Sequence, residues 1–240
     1  MTKEDLKEED LIKDLIEINR RLSYDLWNVS CFNKKPSGLS PRLIFPVNRI
    51  NGEIRISEQE ARILYCNILN NLNYFYSIET PTKETFQQTG NTPLSALFDL
   101  SIYKFIDGSF EKKVNIELKA HNPALKNFSK DIEKIIREGK DGNWFHVLKN
   151  IDKATLPSVF DKFISSLKEH SDKSNKISIL FCICVLEKKW GMIKHFEWNN
   201  KKGNLIDYLD NFFILSQIRN RNTDEQKEFL RNNEWLIVES

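Results

Sequence analysis

Apolar residues recur at three- and four-residue steps over residues 3–22 (Leu6, Leu11, Leu15, Ile18, Leu22), the spacing of one helix face. The stretch carries excess acid, so this predicts an outer helix with its other side in solvent. Residues 28–56 hold Pro36, Pro41 and Pro46 among turn formers and read as an irregular connector with one short strand near 42–45. Ser57 and Glu60 match a capping box, and Ala61, Leu64, Tyr65, Ile68 and Leu72 follow as a helical stripe. Residues 74–80 are β-branched and aromatic and end at Pro81, and 96–103 and 114–120 alternate as strands do. Amphipathic helices are expected at 129–138 and 155–169. Residues 177–186 form a continuous β-branched apolar run, expected as a strand buried on both faces, with 191–198 paired to it. Helical spacing returns at 204–218 and 224–232.

This order predicts an α/β fold: a mixed β-sheet core flanked by helices, with helical N- and C-terminal extensions. No repeat or low-complexity linker divides the chain. The expectation is a single domain over 1–240, with an N-terminal helical extension and connector at 1–50, a core at 51–200, and C-terminal helices at 201–240.

Composition narrows the functional classes. The 240 residues are 40% hydrophobic, 11% aromatic and 29% charged, which suits a substantial core. Lys and Arg number 36 against 34 Asp and Glu, for a net charge of +2. A nucleic-acid surface must therefore come from local segregation of charge. Cys31, Cys66, Cys182 and Cys184 form no CxxC pair, which disfavours zinc and disulfides and predicts buried free thiols in a reducing compartment. The N-terminus is too acidic for a signal peptide, and no apolar run approaches the ~20 residues of a membrane helix. A cytoplasmic protein without membrane contact is expected.

The chemistry concentrates in LFDLSIYKFIDGSFEKKVNIELKA. Asp107-Gly108 is a turn signal between two alternating arms, and Asp99 and Glu117 lie nine residues either side of Gly108. Folding about that point brings the two carboxylates together across an antiparallel pair. Alternation puts Phe98, Leu100 and Ile102 on one face and Asp99, Ser101 and Tyr103 on the other. In the second arm Asn115, Glu117 and Lys119 share the polar face. Phosphodiester hydrolysis needs a cation that neutralises the scissile phosphate and lowers the pKa of the attacking water. Mg²⁺ prefers hard oxygen ligands and takes one or two carboxylates, and a nearby lysine can orient or deprotonate the water. E-x-K alone is uninformative, since it occurs at Glu111, Glu117, Glu138, Glu187 and Glu225. Only the Glu117 copy lies mid-strand, after an acid-bearing strand and before a helix.

On these residues the segment resembles the PD-(D/E)XK nuclease superfamily, with Asp99 as the motif aspartate and Glu117-Leu118-Lys119 as the E-x-K. Phe98 stands where the motif proline would be. The resemblance spans roughly residues 57 to 190 and implies a restriction-endonuclease-like core. It implies that Asp99, Glu117 and the backbone carbonyl of Leu118 hold metal, Mg²⁺ with Mn²⁺ as a substitute, and that Lys119 acts on the water. A glutamate from the first core helix often joins such sites; Glu60 is the positional match and Glu58 competes with it. The implied function is a Mg²⁺-dependent endonuclease acting on DNA sooner than RNA, in restriction or anti-phage defence, as a homodimer or in a larger defence complex. The alternatives are a catalytically lapsed nucleic-acid-binding module on the same fold and an RNA-directed nuclease.

Blander readings stand beside these. Asp99, Glu117 and Lys119 could be a cross-strand ion pair on a solvated face, and the cap explains Glu60. Lys112, Lys113, Lys126, Lys130, Lys134 and Arg137 could follow a phosphate backbone or merely face solvent. His121, His146, His170 and His195 lack metal-ligand spacing and are expected in structural roles.

Overall fold

The computed structural model describes residues 3–29, 41–86 and 94–240. Cys31 and Pro36 lie outside them. Helix α1 (Lys3–Trp27) precedes an irregular connector and helix α2 (Glu58–Asn71). Strands β1 (Phe75–Phe86), β2 (Leu94–Ile106) and β3 (Ser109–Ala120) form an antiparallel meander. Helix α3 (Leu125–Glu138) leads to β4 (Asp141–Leu148), and helix α4 (Thr155–His170) leads to β5 (Lys176–Val185). Strand β6 (Trp190–Asn199), helices α5 (Leu205–Phe213), α6 (Leu215–Ile218) and α7 (Thr223–Arg231), and β7 (Leu236–Glu239) complete the chain.

The seven strands make one mixed sheet in sequential order, parallel across β3-β4-β5 and antiparallel elsewhere. Parallel neighbours need crossovers, and α3 and α4 supply them. Both crossovers pack on one face, where Phe128, Ile132, Phe160 and Phe163 meet Trp144, Ile179 and Phe181. Helices α1 and α2 cover the other face with Leu15, Ile18, Leu22, Leu64 and Ile68 against Ile116, Leu118, Leu180 and Cys182. The result is a three-layer α/β arrangement. Strand β5 alternates between the two cores, which is why its run is apolar throughout.

The terminal segments are part of these layers. Trp27 donates its indole N–H to the Val185 carbonyl at 3.0 Å, Asn19 bonds Asn143 of β4, and β7 pairs with β6. No helix among the described residues is long and apolar enough to cross a membrane. Of the described cysteines, Cys182 and Cys184 are buried free thiols and Cys66 is half-buried.

Several elements depart from the sequence pattern. No strand forms at 42–45; Val47 and Ile54 make an isolated bridge instead. The helix expected at 204–218 breaks at Ile214, a left-handed residue with φ 46°. The most consequential difference is β4, which the pattern does not predict. Its DGN start reads as a turn, yet Asn143 is buried and satisfied by Asn19 and by the Tyr65 hydroxyl at 3.0 Å. Tertiary partners override the local preference there.

Candidate active site

The site begins with the β2–β3 turn. Asp107 (φ 50°) and Gly108 (φ 81°) both occupy the left-handed region, as a two-residue primed turn requires. That turn pairs Ile106 with Ser109 and Tyr103 with Lys112, a register that would carry Asp99 opposite Ile116. One extra residue, Lys113, then bulges out, and Ile102 pairs with Val114 and Leu100 with Ile116. Continued by one step, the shifted register brings Asp99 opposite Glu117. The bulge therefore supplies the symmetry about Gly108 that the spacing of the two carboxylates suggests.

At Asp99 the ladder opens. The Leu118 N–H donates to Asp99 Oδ2 at 2.7 Å, and the Arg62 guanidinium of α2 takes Oδ1. Leu100 and Ile102 belong to the core under α1 and α2, whereas Phe98 joins the core under α3 and α4. Simple alternation puts all three on one face; the chain instead changes face at Asp99. Across the sheet, Glu79 lies between the paired residues Ile78 and Thr80 with φ 51°, so the distortion spans both strands. The N–H and C=O of one strand residue point to the same side, which directs the Leu118 carbonyl toward the opening.

Glu117 and Lys119 project from β3 toward α3, and α3 answers with charges of its own. Lys134 Nζ lies 2.5 Å from Glu117 Oε1, 2.7 Å from Asp131 Oδ1 and 2.9 Å from the Leu97 carbonyl. Lys119 Nζ lies 2.9 Å from Asp131 Oδ2 and 3.5 Å from Glu117 Oε2. Glu117 is 2% exposed and Lys134 4%. Burial, seconded by the Asp131 charge, pushes the Glu117 carboxyl up to about 8; Lys134 and Lys119 pull against this and Asp99 adds to it. Burial works against the charge on Lys119, but Asp131, Glu117 and Glu58 outweigh it and hold its ammonium above the usual range. Lys119 is therefore a cation in this arrangement, suited to stabilising negative charge more than to removing a proton.

Helix α2 contributes Glu58, not Glu60, to this cluster. Ser57 caps the helix and its hydroxyl contacts the Glu60 carboxylate, and among the described residues no hydrogen bond or ion pair joins Glu60 to Asp99, Glu117 or Lys119. Glu58, two residues earlier on a helix, points elsewhere: the Ala120 N–H donates to it and Lys119, Asp99 and Asp131 bear on its charge. Burial pushes the Glu58 carboxyl up, Lys119 lowers it, and Asp99 raises it further.

Sequence reasoning also missed Arg62, Asp131 and Lys134. Composition alone groups Lys134 with a basic run facing solvent. Counting from Phe128 reveals the signal: Asp131, Ile132 and Ile135 follow at three- and four-residue steps, and Asp131, Lys134 and Glu138 are all buried. Of the remaining run, Lys112 pairs with Glu138, Lys113 with Glu111 and Arg137 with Glu84 and Glu133, while Lys126 and Lys130 are exposed. The histidines hold structure: His121 donates to the Ile56 carbonyl at 2.8 Å, His146 contacts the His121 carbonyl, His170 bonds Ser129 and His195 bonds Ser178.

Four carboxylates (Glu58, Asp99, Glu117, Asp131) thus meet three cations (Arg62, Lys119, Lys134), and the excess acid is felt at buried Glu117. Among the described residues no three His, Cys, Asp or Glu side chains stand together as a metal cage. Mg²⁺ does not require one, because it binds through one or two carboxylates and keeps waters and phosphate oxygens. The hard carboxylate oxygens of Asp99 and Glu117 fit such an ion.

The fold and cluster define a mixed α/β protein with a charged centre at the splayed end of its first parallel strand. Neither protein-family models nor curated proteins match the chain. Among solved structures it is similar to SfsA of Pyrococcus furiosus, determined in complex with Ca²⁺, at 15% identity over 68% of this chain and 74% of that one, with a TM-score of 0.30. A likeness of that size carries no argument about the site.

Proposed function

We propose that the chain is a Mg²⁺-dependent endonuclease hydrolysing phosphodiester bonds, in DNA ahead of RNA, on a restriction-endonuclease-like core. The observation that carries this reading is the union of Asp99 and Glu117-Leu118-Lys119 where β2 and β3 part, with Asp99 Oδ2 fastened to the Leu118 N–H at 2.7 Å. Asp99, Glu117 and the Leu118 carbonyl would hold the ion, with Glu58 beside them. A bound divalent ion would neutralise the scissile phosphate and make water a better nucleophile. Lys119, kept cationic by its carboxylate neighbours, donates to the water or to phosphate oxygens and stabilises the charge that develops. Arg62 orients Asp99.

The test is cleavage of plasmid DNA and matched RNA with Mg²⁺, Mn²⁺ or EDTA, by the native chain and by folded Asp99→Asn and Lys119→Ala. Metal-dependent cleavage lost in both variants is expected. Full activity in both would overturn the assignment. A second reading, a nucleic-acid-binding module without catalysis, is favoured by the Lys134 ammonium seated on Glu117. Nucleic-acid binding without Mn²⁺ binding in calorimetry would establish it instead.

A further inference from the structure

Lys134 has the surroundings of a bound ion. Its ammonium meets three oxygens, from Glu117, Asp131 and the Leu97 carbonyl, at 2.5, 2.7 and 2.9 Å. These are hard donors: two carboxylates and a main-chain carbonyl, the chemistry that also binds Mg²⁺ and Mn²⁺. The ammonium also stands over the Phe98 ring, 5.4 Å from its centroid. Lys119 stands differently, closer to Asp131 than to Glu117. The two lysines are therefore not duplicates. Lys119 borders the cluster from β3, while Lys134 fills it from α3.

Resting on the nuclease reading above, we propose that Lys134 is an internal counter-cation that occupies the Glu117–Asp131 oxygen pocket and is displaced when a divalent metal ion binds. The physical reason is competition: Lys134 holds Glu117 Oε1 and Lys119 stands near Oε2, so an ion that takes Oε1 must displace the Lys134 ammonium, and cations crowded on one buried carboxylate repel strongly. Until metal arrives, Lys134 keeps Glu117 from being a bare buried carboxylate. Once displaced, its flexible stem lets the ammonium move toward solvent and substrate phosphate. Lys134 is thus a positioning residue that sets the concentration of metal at which the site loads.

This predicts a sign that a purely structural role does not. In Lys134→Met, which keeps an unbranched apolar stem and removes the ammonium, Mn²⁺ should bind at least about tenfold more tightly by calorimetry or by paramagnetic resonance, because the competing cation is gone. Lys134→Arg should restore the weaker affinity. A wild-type measurement guards against a variant that fails to fold: acetylation of Lys134, read by peptide mass spectrometry, should accelerate several-fold when Mn²⁺ is added. Unchanged or weaker Mn²⁺ binding in a folded Lys134→Met, or labelling of Lys134 indifferent to Mn²⁺ that does bind, would overturn the displacement while leaving the nuclease reading standing. If neither the native chain nor any variant binds Mn²⁺, the nuclease reading falls and this inference falls with it.

Discussion

Replacing Glu117 by glutamine should make the metal-free protein more stable, and only at high pH. The Glu117 carboxyl is buried and its pKa is raised from 4.5 to about 8. A carboxyl whose folded value stands above its unfolded value keeps its proton better in the folded state. Stability therefore falls as pH rises through the window from 4.5 to about 8, and the loss levels off above it. At about 1.4 kcal/mol per unit, the full window corresponds to a ceiling of about 5 kcal/mol. Glutamine mimics the protonated carboxyl and does not titrate, and with it Glu58, Asp99 and Asp131 balance Arg62, Lys119 and Lys134. Against the gain stands the weakening of the Lys134 pairing at 2.5 Å and the Lys119 pairing at 3.5 Å. A net advantage of about 2 kcal/mol near pH 9, shrinking toward zero near pH 5, is the expected residue. Urea unfolding of both proteins in EDTA at the two pH values measures it directly, because any packing cost of the glutamine is the same at both and cancels from the pH-dependent part. Adding Mg²⁺ at high pH should then stabilise the native chain more than the variant. If the variant is less stable than the native chain at both pH values by the same amount, Glu117 is ionised throughout and held by its lysines, and the reasoning is wrong.

Three further outcomes follow from the same geometry. Burial lowers the pKa of His146 from 6.5 to about 4, so its contribution is intact above 6.5 and lost as pH falls toward 4, by about 3 kcal/mol in all; a His146→Gln variant should flatten that acid limb in urea titrations, and an unaltered limb would refute the assignment. Asp99→Ala leaves the Leu118 N–H without its acceptor and Arg62 with Glu79 as its remaining carboxylate, and should cost about 3 kcal/mol, whereas Asp99→Asn keeps an acceptor and should cost about 1 kcal/mol; equal unfolding midpoints for the two would contradict this. Asn143→Leu strands Asn19 and the Tyr65 hydroxyl between α1, α2 and β4 and should cost about 2–3 kcal/mol, a figure that thermal or urea unfolding can deny.

Local pattern was sufficient for much of this molecule. The apolar run of β5 is legible because a strand between two helical layers needs both faces apolar. The Ser57 cap and the Asp107-Gly108 turn are legible because each is decided by a few adjacent residues. From these came the helix-flanked sheet and the hairpin whose two arms carry Asp99, Glu117 and Lys119. What only the tertiary structure decided depends on partners distant in the chain. Strand β4 exists because Asn143 finds Asn19 and Tyr65, which nothing in DGNWFHVL announces. The choice of Glu58 over Glu60 turns on how α2 lies against β3, since two positions on one helix turn differ by about 200° in direction. Asp131 and Lys134 look like ordinary surface charges until α3 is laid over β3 and buries them against Glu117. Asp99 and Glu117 themselves meet only because Lys113 bulges out of the hairpin, a one-residue shift that reverses which face each side chain takes. Periodicity records how each segment wishes to be buried; which charges share a buried space is set by the packing of segments against one another.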